Sequence, residues 1–128
     1  IDDRFKVTSP QDIANYLMED MRYLKKEHFK IITLDTKNKI LNICTISIGS
    51  LNSSIVHPRE VFHEAVKKSA ASIILIHNHP SGETQPSRED INITKRLIEA
   101  GELMGIKVLD HIIIGDGVYL SFKEENII

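Results

Sequence analysis

Two imidazoles, a hydroxyl and a carboxylate fall within fourteen residues of this chain, in His77-Asn-His79, Pro80-Ser-Gly82 and Ser87-Arg-Glu-Asp90. They follow directly on Ile73-Ile-Leu-Ile76, an apolar run that reads as a short buried strand. Side chains two apart on a strand point the same way, so His77 and His79 share a face if the strand continues to its end. Pro80-Ser-Gly82 then turns the chain, and Asp90 can return in the first turn of the next helix. Two histidines and one carboxylate converging at a strand end suit a zinc ion with one coordination position left open, which separates a catalytic zinc from a structural one.

Each part has an ordinary explanation. Histidines are common on surfaces and at helix ends, and an acid in a first helical turn complements the macrodipole. Ser-x-x-acid before an apolar-periodic stretch is itself a helix start, with Ser87 as N-cap. The joint pattern is far less expected by chance than its parts. A capped helix start would also hold Asp90 where a metal needs it.

The elements that must position these groups can be read around them. Ser9-Pro10-Gln-Asp12 announces a helix, and Ile13, Tyr16, Leu17, Met21 and Leu24 form its apolar stripe. Phe29–Leu34 and Ile40–Ile48 flank the turn-prone Asp35-Thr-Lys-Asn38 as a β-hairpin. A polar loop is expected at 49–54, and Pro58 opens a second helix carrying Val61, Phe62, Ala65 and Val66. A third helix runs from Arg88 to about Gly101–Gly105, a strand spans Ile106–Ile114, and Gly115-Asp-Gly117 turns into Val118–Ser121. Helices alternating with strands, plus a hairpin, predict a mixed sheet with helices on its faces.

At 128 residues one domain is expected over 1–128. A formal charge of −2 argues against broad attraction to nucleic acid. Cys44 is the only cysteine, which excludes an intrachain disulfide and a Cys-rich zinc knuckle; among apolar neighbours it reads as a small core residue. No apolar run approaches a membrane span and no signal peptide is visible, so a cytoplasmic protein is expected. A start at Ile1 rather than Met suggests an excised domain or a processed product.

Amide hydrolysis at such a zinc needs a base to take the water proton and return it to the leaving amine. Glu27, Glu60, Glu64, Glu83 and Glu89 are the candidates. Glu83 and Glu89 lie in the loop and read as solvated, and Glu60 and Glu64 sit on a helix whose default is an exposed face. Glu27 shares a face with Phe29 and Ile31 if the first strand begins there, and an acid aimed at a core needs a partner or a metal. His63-Glu64-Ala-Val-Lys67 starts like the H-E-x-x-H zincin helix but lacks its second histidine. The nucleoside-deaminase signature fails for want of a cysteine pair.

The assembled pattern His77-x-His79-Pro-Ser-Gly…Pro86-Ser87-x-x-Asp90 resembles the JAMM (MPN+) zinc metalloprotease motif. His57-Pro-Arg-Glu-Val-Phe62, His77-Asn-His-Pro-Ser-Gly82, Pro86-Ser-Arg-Glu-Asp-Ile91 and Asp110-His-Ile-Ile-Ile-Gly115 are similar to the RadC family specifically, over about residues 9–121. The resemblance implies a cytidine-deaminase-like, three-layer α/β/α sandwich with a mixed β-sheet. It implies one Zn2+ per chain held by His77, His79 and Asp90, with water as fourth ligand, Glu27 as general base and Ser87 helping to hold the oxyanion. His57, His111, Asn78 and Ser81 enter as candidate walls of the site. His111 by default is a hydrogen-bonded core histidine, His57 can cap or orient the second helix, and alternation places Asp110 and His111 on opposite faces.

RadC proteins usually carry a helix-hairpin-helix-like region before this domain, and none is seen here, so DNA contact is not expected of this chain alone. The leading expectation is a zinc-dependent hydrolase cutting a peptide or isopeptide bond. Two others compete: a DNA-associated or docking module with a structural or vestigial metal, and a metal-dependent nuclease, which is weakened by a donor set with a single carboxylate. The sequence does not give the oligomeric state.

Overall fold

The computed structural model describes residues 5–49 and 56–128; of the polar loop expected at 49–54, all but Gly49 lies outside the described residues. In chain order the elements are α1 (Pro10–Met21), β1 (His28–Leu34), β2 (Ile40–Ile48), α2 (Pro58–Lys67), β3 (Ser72–Asn78), α3 (Arg88–Met104), β4 (Lys107–Ile114) and β5 (Tyr119–Ser121). The strands form one sheet in the order β2-β1-β3-β4-β5. β3 and β4 are parallel and the other neighbours antiparallel, so the sheet is mixed. A parallel pair needs a long crossover, and α3 supplies it.

Alternation along the strands splits the core in two. Phe29 and Ile31 of β1 and Ile73 and Leu75 of β3 pack with Val61 and Phe62 of α2 and Ile93 and Leu97 of α3. Ile32, Leu34, Ile74 and Ile76 face the other way, onto Ile13, Leu17 and Met21 of α1. Helices therefore cover both faces, which is the expected three-layer arrangement. Burial on both sides explains why central β3 reads as an unbroken apolar run rather than an alternating one.

Local signals account for the element ends. Ser9 and Ser87 each close a capping box, with Asp12 and Asp90 reaching back to the cap. α3 stops at Gly105, whose φ of 71° is the left-handed conformation that suits glycine. The hairpin turn is held by Asp35, whose Oδ1 accepts from the Lys37 and Lys39 amides. Two apolar residues depart from the expected faces. Tyr16 lies on the rim of the α1 stripe, where it stacks on Phe5, and Ala14 takes the buried place instead. Val66 of α2 is exposed.

A buried carboxylate ties β4 to the chain end. Asp110 accepts from the Ser121 hydroxyl at 2.5 Å, and from the His111 and Lys123 amides at 2.7 and 3.0 Å. Burial pushes its carboxyl above the usual range against the pull of these donors. A folded-state pKa above the unfolded one stabilises most at low pH, and that contribution is lost as pH rises from about 4 through the raised value. Asparagine keeps the two amide contacts without titrating. The unfolding free energy of the unsubstituted protein minus that of Asp110→Asn should therefore fall as pH rises across this window in denaturant titrations; a difference independent of pH would contradict the assignment.

Candidate metal centre

The site grows from the carboxyl end of β3. His77 is the sixth residue of the strand, Asn78 the last, and His79 follows with its amide still bonded to the Ile114 carbonyl of β4 at 3.0 Å. Strand geometry thus carries past the formal end of β3 and sends His77 and His79 to one face. The loop then folds back: Gly82 N–H donates to the His79 carbonyl at 2.9 Å, and the Asp116 amide to the Gly82 carbonyl at 3.0 Å. A methyl group on Gly115 would come within 2.4 Å of that carbonyl, so glycine is required there for the two loops to touch. Past the loop, the capping box of α3 delivers Asp90. Its Oδ2 accepts from the Ser87 amide at 2.8 Å, while Ser87 Oγ accepts from the Asp90 amide at 3.0 Å.

Three side chains meet as a result. His77 Nε2 and His79 Nε2 lie 3.0 Å apart, and Asp90 reaches them with Oδ1 at 3.2 Å and Oδ2 at 3.1 Å. His77 and Asp90 are buried and His79 nearly so. His79 Nδ1 faces the Glu83 carbonyl at 2.9 Å; a carbonyl only accepts, so Nδ1 carries the proton and the neutral ring has its lone pair on Nε2. Burial pushes the Asp90 carboxyl up, but the two imidazoles and the Ser87 amide outweigh this and hold it well below the carboxylate range. Hydrogen bonding to Asp90 in turn raises the pKa of His79 against desolvation. With both rings neutral and protonated at Nδ1, the two Nε2 atoms and the carboxylate are all acceptors, and a shared cation would satisfy them together. Tetrahedral zinc with bonds of about 2.0–2.1 Å sets neighbouring donors roughly 3.3 Å apart. The observed spacing is of that size, and the donor types suit the ion.

Glu27 joins this cluster. One atom each of Glu27, His77 and His79 lie within 4.8 Å of one another, a grouping that could hold a metal ion. β1 begins one residue later than the pattern of Phe29 and Ile31 suggested, leaving Glu27 half-buried at the mouth of the strand. Its backbone is placed from β3. Asn78, pointing opposite to the histidines and 1% exposed, accepts from the His28 amide at 2.7 Å and donates to the Lys26 carbonyl at 3.1 Å. One carboxamide thus grips the chain on both sides of Glu27.

The remaining candidates are distributed around this centre. His111 of β4 is wholly buried, with its Nε2 2.7 Å from His77 Nδ1. Asp110 points away from the His111 ring and bonds to His111 through its amide, as alternation requires. Ser81 is exposed on the loop, beside an open cleft of about 460 Å³ whose far wall includes Arg22, Tyr23 and Asp116. Arg22 Nη2 and Asp116 pair at 2.7 Å, tying the end of α1 to the β4–β5 turn. His57 is the N-cap residue of α2 but makes no side-chain capping bond. Thr94 was not anticipated. Its signal was a polar residue one turn after Asp90 on the inward face of α3, where Ile93 and Leu97 are apolar.

Truncating Asn78 leaves a buried N–H and a C=O without their partner. Asn78→Ala should cost about 2–3 kcal/mol in denaturant unfolding and accelerate exchange of the His28 amide, because each orphaned buried group carries a penalty of roughly 1–3 kcal/mol. Asn78→Asp, which keeps the acceptor for His28, should protect that amide better than alanine does. Equal exchange in all three proteins would remove the grip from the account.

With this geometry in view, likeness to other proteins is informative. The family model described as a RadC-like JAB domain matches residues 7–127. A UPF0758 protein of Caldanaerobacter subterraneus is 67% identical over 123 residues, covering 96% of this chain and 53% of that protein. UPF0758 proteins of Alkaliphilus oremlandii and Clostridioides difficile are 64% and 59% identical, each with 53% of its own length covered. The chain spans about half the length of the curated relatives it matches. The mixed five-stranded sheet with helices on both faces accords with a JAB/MPN domain. By its sequence from residue 7 to 127, the chain belongs to the RadC family and forms its JAB-type domain.

Proposed function

We propose that this domain is a zinc-dependent hydrolase acting on a peptide or isopeptide bond, with His77, His79 and Asp90 as the metal ligands. The observation that carries the reading is the convergence of His77 Nε2, His79 Nε2 and the Asp90 carboxylate at 3.0–3.2 Å. When bound there, zinc supplies a water acidified to about pH 7 and a Lewis acid for a carbonyl oxygen. Among the chain's own groups, Glu27 is the one that would accept a proton from such a water and return it to the leaving nitrogen. Ser87 Oγ already accepts from the Asp90 amide, so its O–H proton can be donated to the oxygen on which charge develops. The capping box thereby serves the helix and the site together.

The Glu27, His77, His79 grouping raises a competing ligand set in which Glu27 rather than Asp90 completes the shell. Asp90 is preferred because its two oxygens lie 3.2 and 3.1 Å from the imidazole nitrogens, whereas the Glu27 grouping extends to 4.8 Å. No helix among the described residues is long and apolar enough to cross a membrane, and a formal charge of −2 gives no reason to expect DNA as substrate.

Elemental analysis and chelator competition separate these readings. About one zinc per chain is expected in the unsubstituted protein and in Glu27→Gln, with His79→Ala and Asp90→Ala weakened at least 100-fold. Glu27→Gln should lose metal-dependent peptide or isopeptide cleavage by two or more orders of magnitude while keeping its zinc. Loss of zinc in Glu27→Gln with retention in Asp90→Ala would reverse the two roles. No zinc uptake by the unsubstituted protein would end the hydrolase reading.

A further inference from the structure

Behind the three converging side chains, a buried chain of hydrogen bonds joins two of the same residues. His77 Nδ1 lies 2.7 Å from His111 Nε2, and His111 Nδ1 lies 2.5 Å from Thr94 Oγ1. Thr94 Oγ1 is bonded at 2.6 Å to the backbone carbonyl of Asp90. His77, Thr94 and His111 have no measurable exposure, and Asp90 has 1%. The path therefore runs from one donor side chain, through two residues that touch no solvent, to the backbone of another.

The protons on this path can be placed from the chemistry of its ends. A carbonyl accepts only, so the single proton of the Thr94 hydroxyl goes to Asp90. His111 Nδ1 must then donate to Thr94 Oγ1. Among the described residues the His111 ring is hydrogen-bonded to His77 and Thr94 rather than to a carboxylate, and it is enclosed by Phe122, stacked at 4.5 Å between centroids, and Phe29, edge-on at 5.9 Å. A charged ring there would be costly, so His111 Nε2 carries a lone pair. It accepts from His77 Nδ1–H. In the neutral ring the remaining nitrogen of His77, Nε2, then presents a lone pair toward His79 and Asp90.

We propose that Thr94 and His111 are positioning residues that lock His77 in its Nδ1–H tautomer and so set its Nε2 as a metal donor before any metal arrives. The use of this lock rests on the metal reading above; the tautomer itself is a property of the protein without metal. Ordinary roles exist for each residue alone. A helical threonine often bonds to the carbonyl four residues back, and a buried histidine between two phenylalanines can be mere packing. Neither explains why the two are bonded to each other, nor why the path ends on a donor imidazole at one side and on Asp90 at the other. His79 reaches the same state more simply, through the Glu83 carbonyl. In His77 the acceptor is itself a histidine, which accepts at Nε2 only while Thr94 holds its other nitrogen as donor.

Imidazole nitrogen NMR of the metal-free protein, combined with cobalt and zinc titrations, tests the lock. His77 should show a protonated Nδ1 and a lone-pair Nε2 near neutral pH. Thr94→Val keeps the shape but removes the hydroxyl, and should give a mixture of His77 tautomers with metal affinity about 10–100-fold weaker, the range for loss of a partner behind a ligand. Thr94→Ser should restore a single tautomer and bring affinity back to within about threefold. Thermal unfolding of the metal-free variants runs alongside, because a purely structural defect would lower their midpoints without changing the tautomer. An Nε2–H form of His77 in the unsubstituted protein would overturn the proposal, as would an unchanged tautomer and affinity in Thr94→Val. The expected tautomer pattern with no metal uptake would support the lock and sink the hydrolase reading; tight metal binding with mixed tautomers would do the reverse.

Discussion

Two imidazole nitrogens and a carboxylate stand within 3.2 Å of their neighbours in this group, and much of the fold is what holds them there. Each is braced by a different device. His77 stands in a central strand buried on both sides, His79 is steadied by the carbonyl of a returning loop, and Asp90 is fixed by the box that starts α3. Low dielectric raises the cost of any of these groups left without a partner. The same low dielectric makes a cation shared among them count for more than it would in water.

The two-sided sheet allows this. On the face covered by α2 and α3, the apolar residues of β1 and β3 lead directly into His77 and His111, so the hydrogen-bonded path is sealed by hydrocarbon and aromatic rings. The α1 face carries its own core, with Asp110 at one margin and the Arg22–Asp116 pair at another. The polar work on each side is therefore insulated from the other by the sheet. The turns at the carboxyl ends of β3 and β4 join the two through the close approach of Gly82 and Gly115, and Asn78 links them by holding the backbone around Glu27.

Residues whose roles depend on near neighbours were legible in the sequence. Ser87 and Asp90 sit three apart, and both the cap and the delivery of the carboxylate follow from that spacing. The apolar run of β3 and the His-x-His after it gave the strand and the shared face. What periodicity left open was decided at long range. Glu27 lies just outside the strand that was to aim it, and it is placed by Asn78, some fifty residues on. The pairing of Thr94 with His111 spans a helix and a strand and leaves no local trace beyond a polar residue on an inward face. Tyr16 was assigned to the core by spacing alone; at the rim of the α1 stripe, a ring with a polar tip does better stacked on Phe5 in contact with water.

Because β3 sends His77 and His79 to one side and Asn78 to the other, a single tripeptide supplies two donors and the grip on Glu27. Strand geometry makes these contributions inseparable. Sliding β3 by one residue against its neighbours would turn both imidazoles toward the α1 layer and swing the carboxamide into their place. The proposed ligands and the proposed base would then be lost together rather than one by one. A substitution in the surrounding helices or loops touches one contribution at a time, whereas a shift of the strand end touches all of them at once.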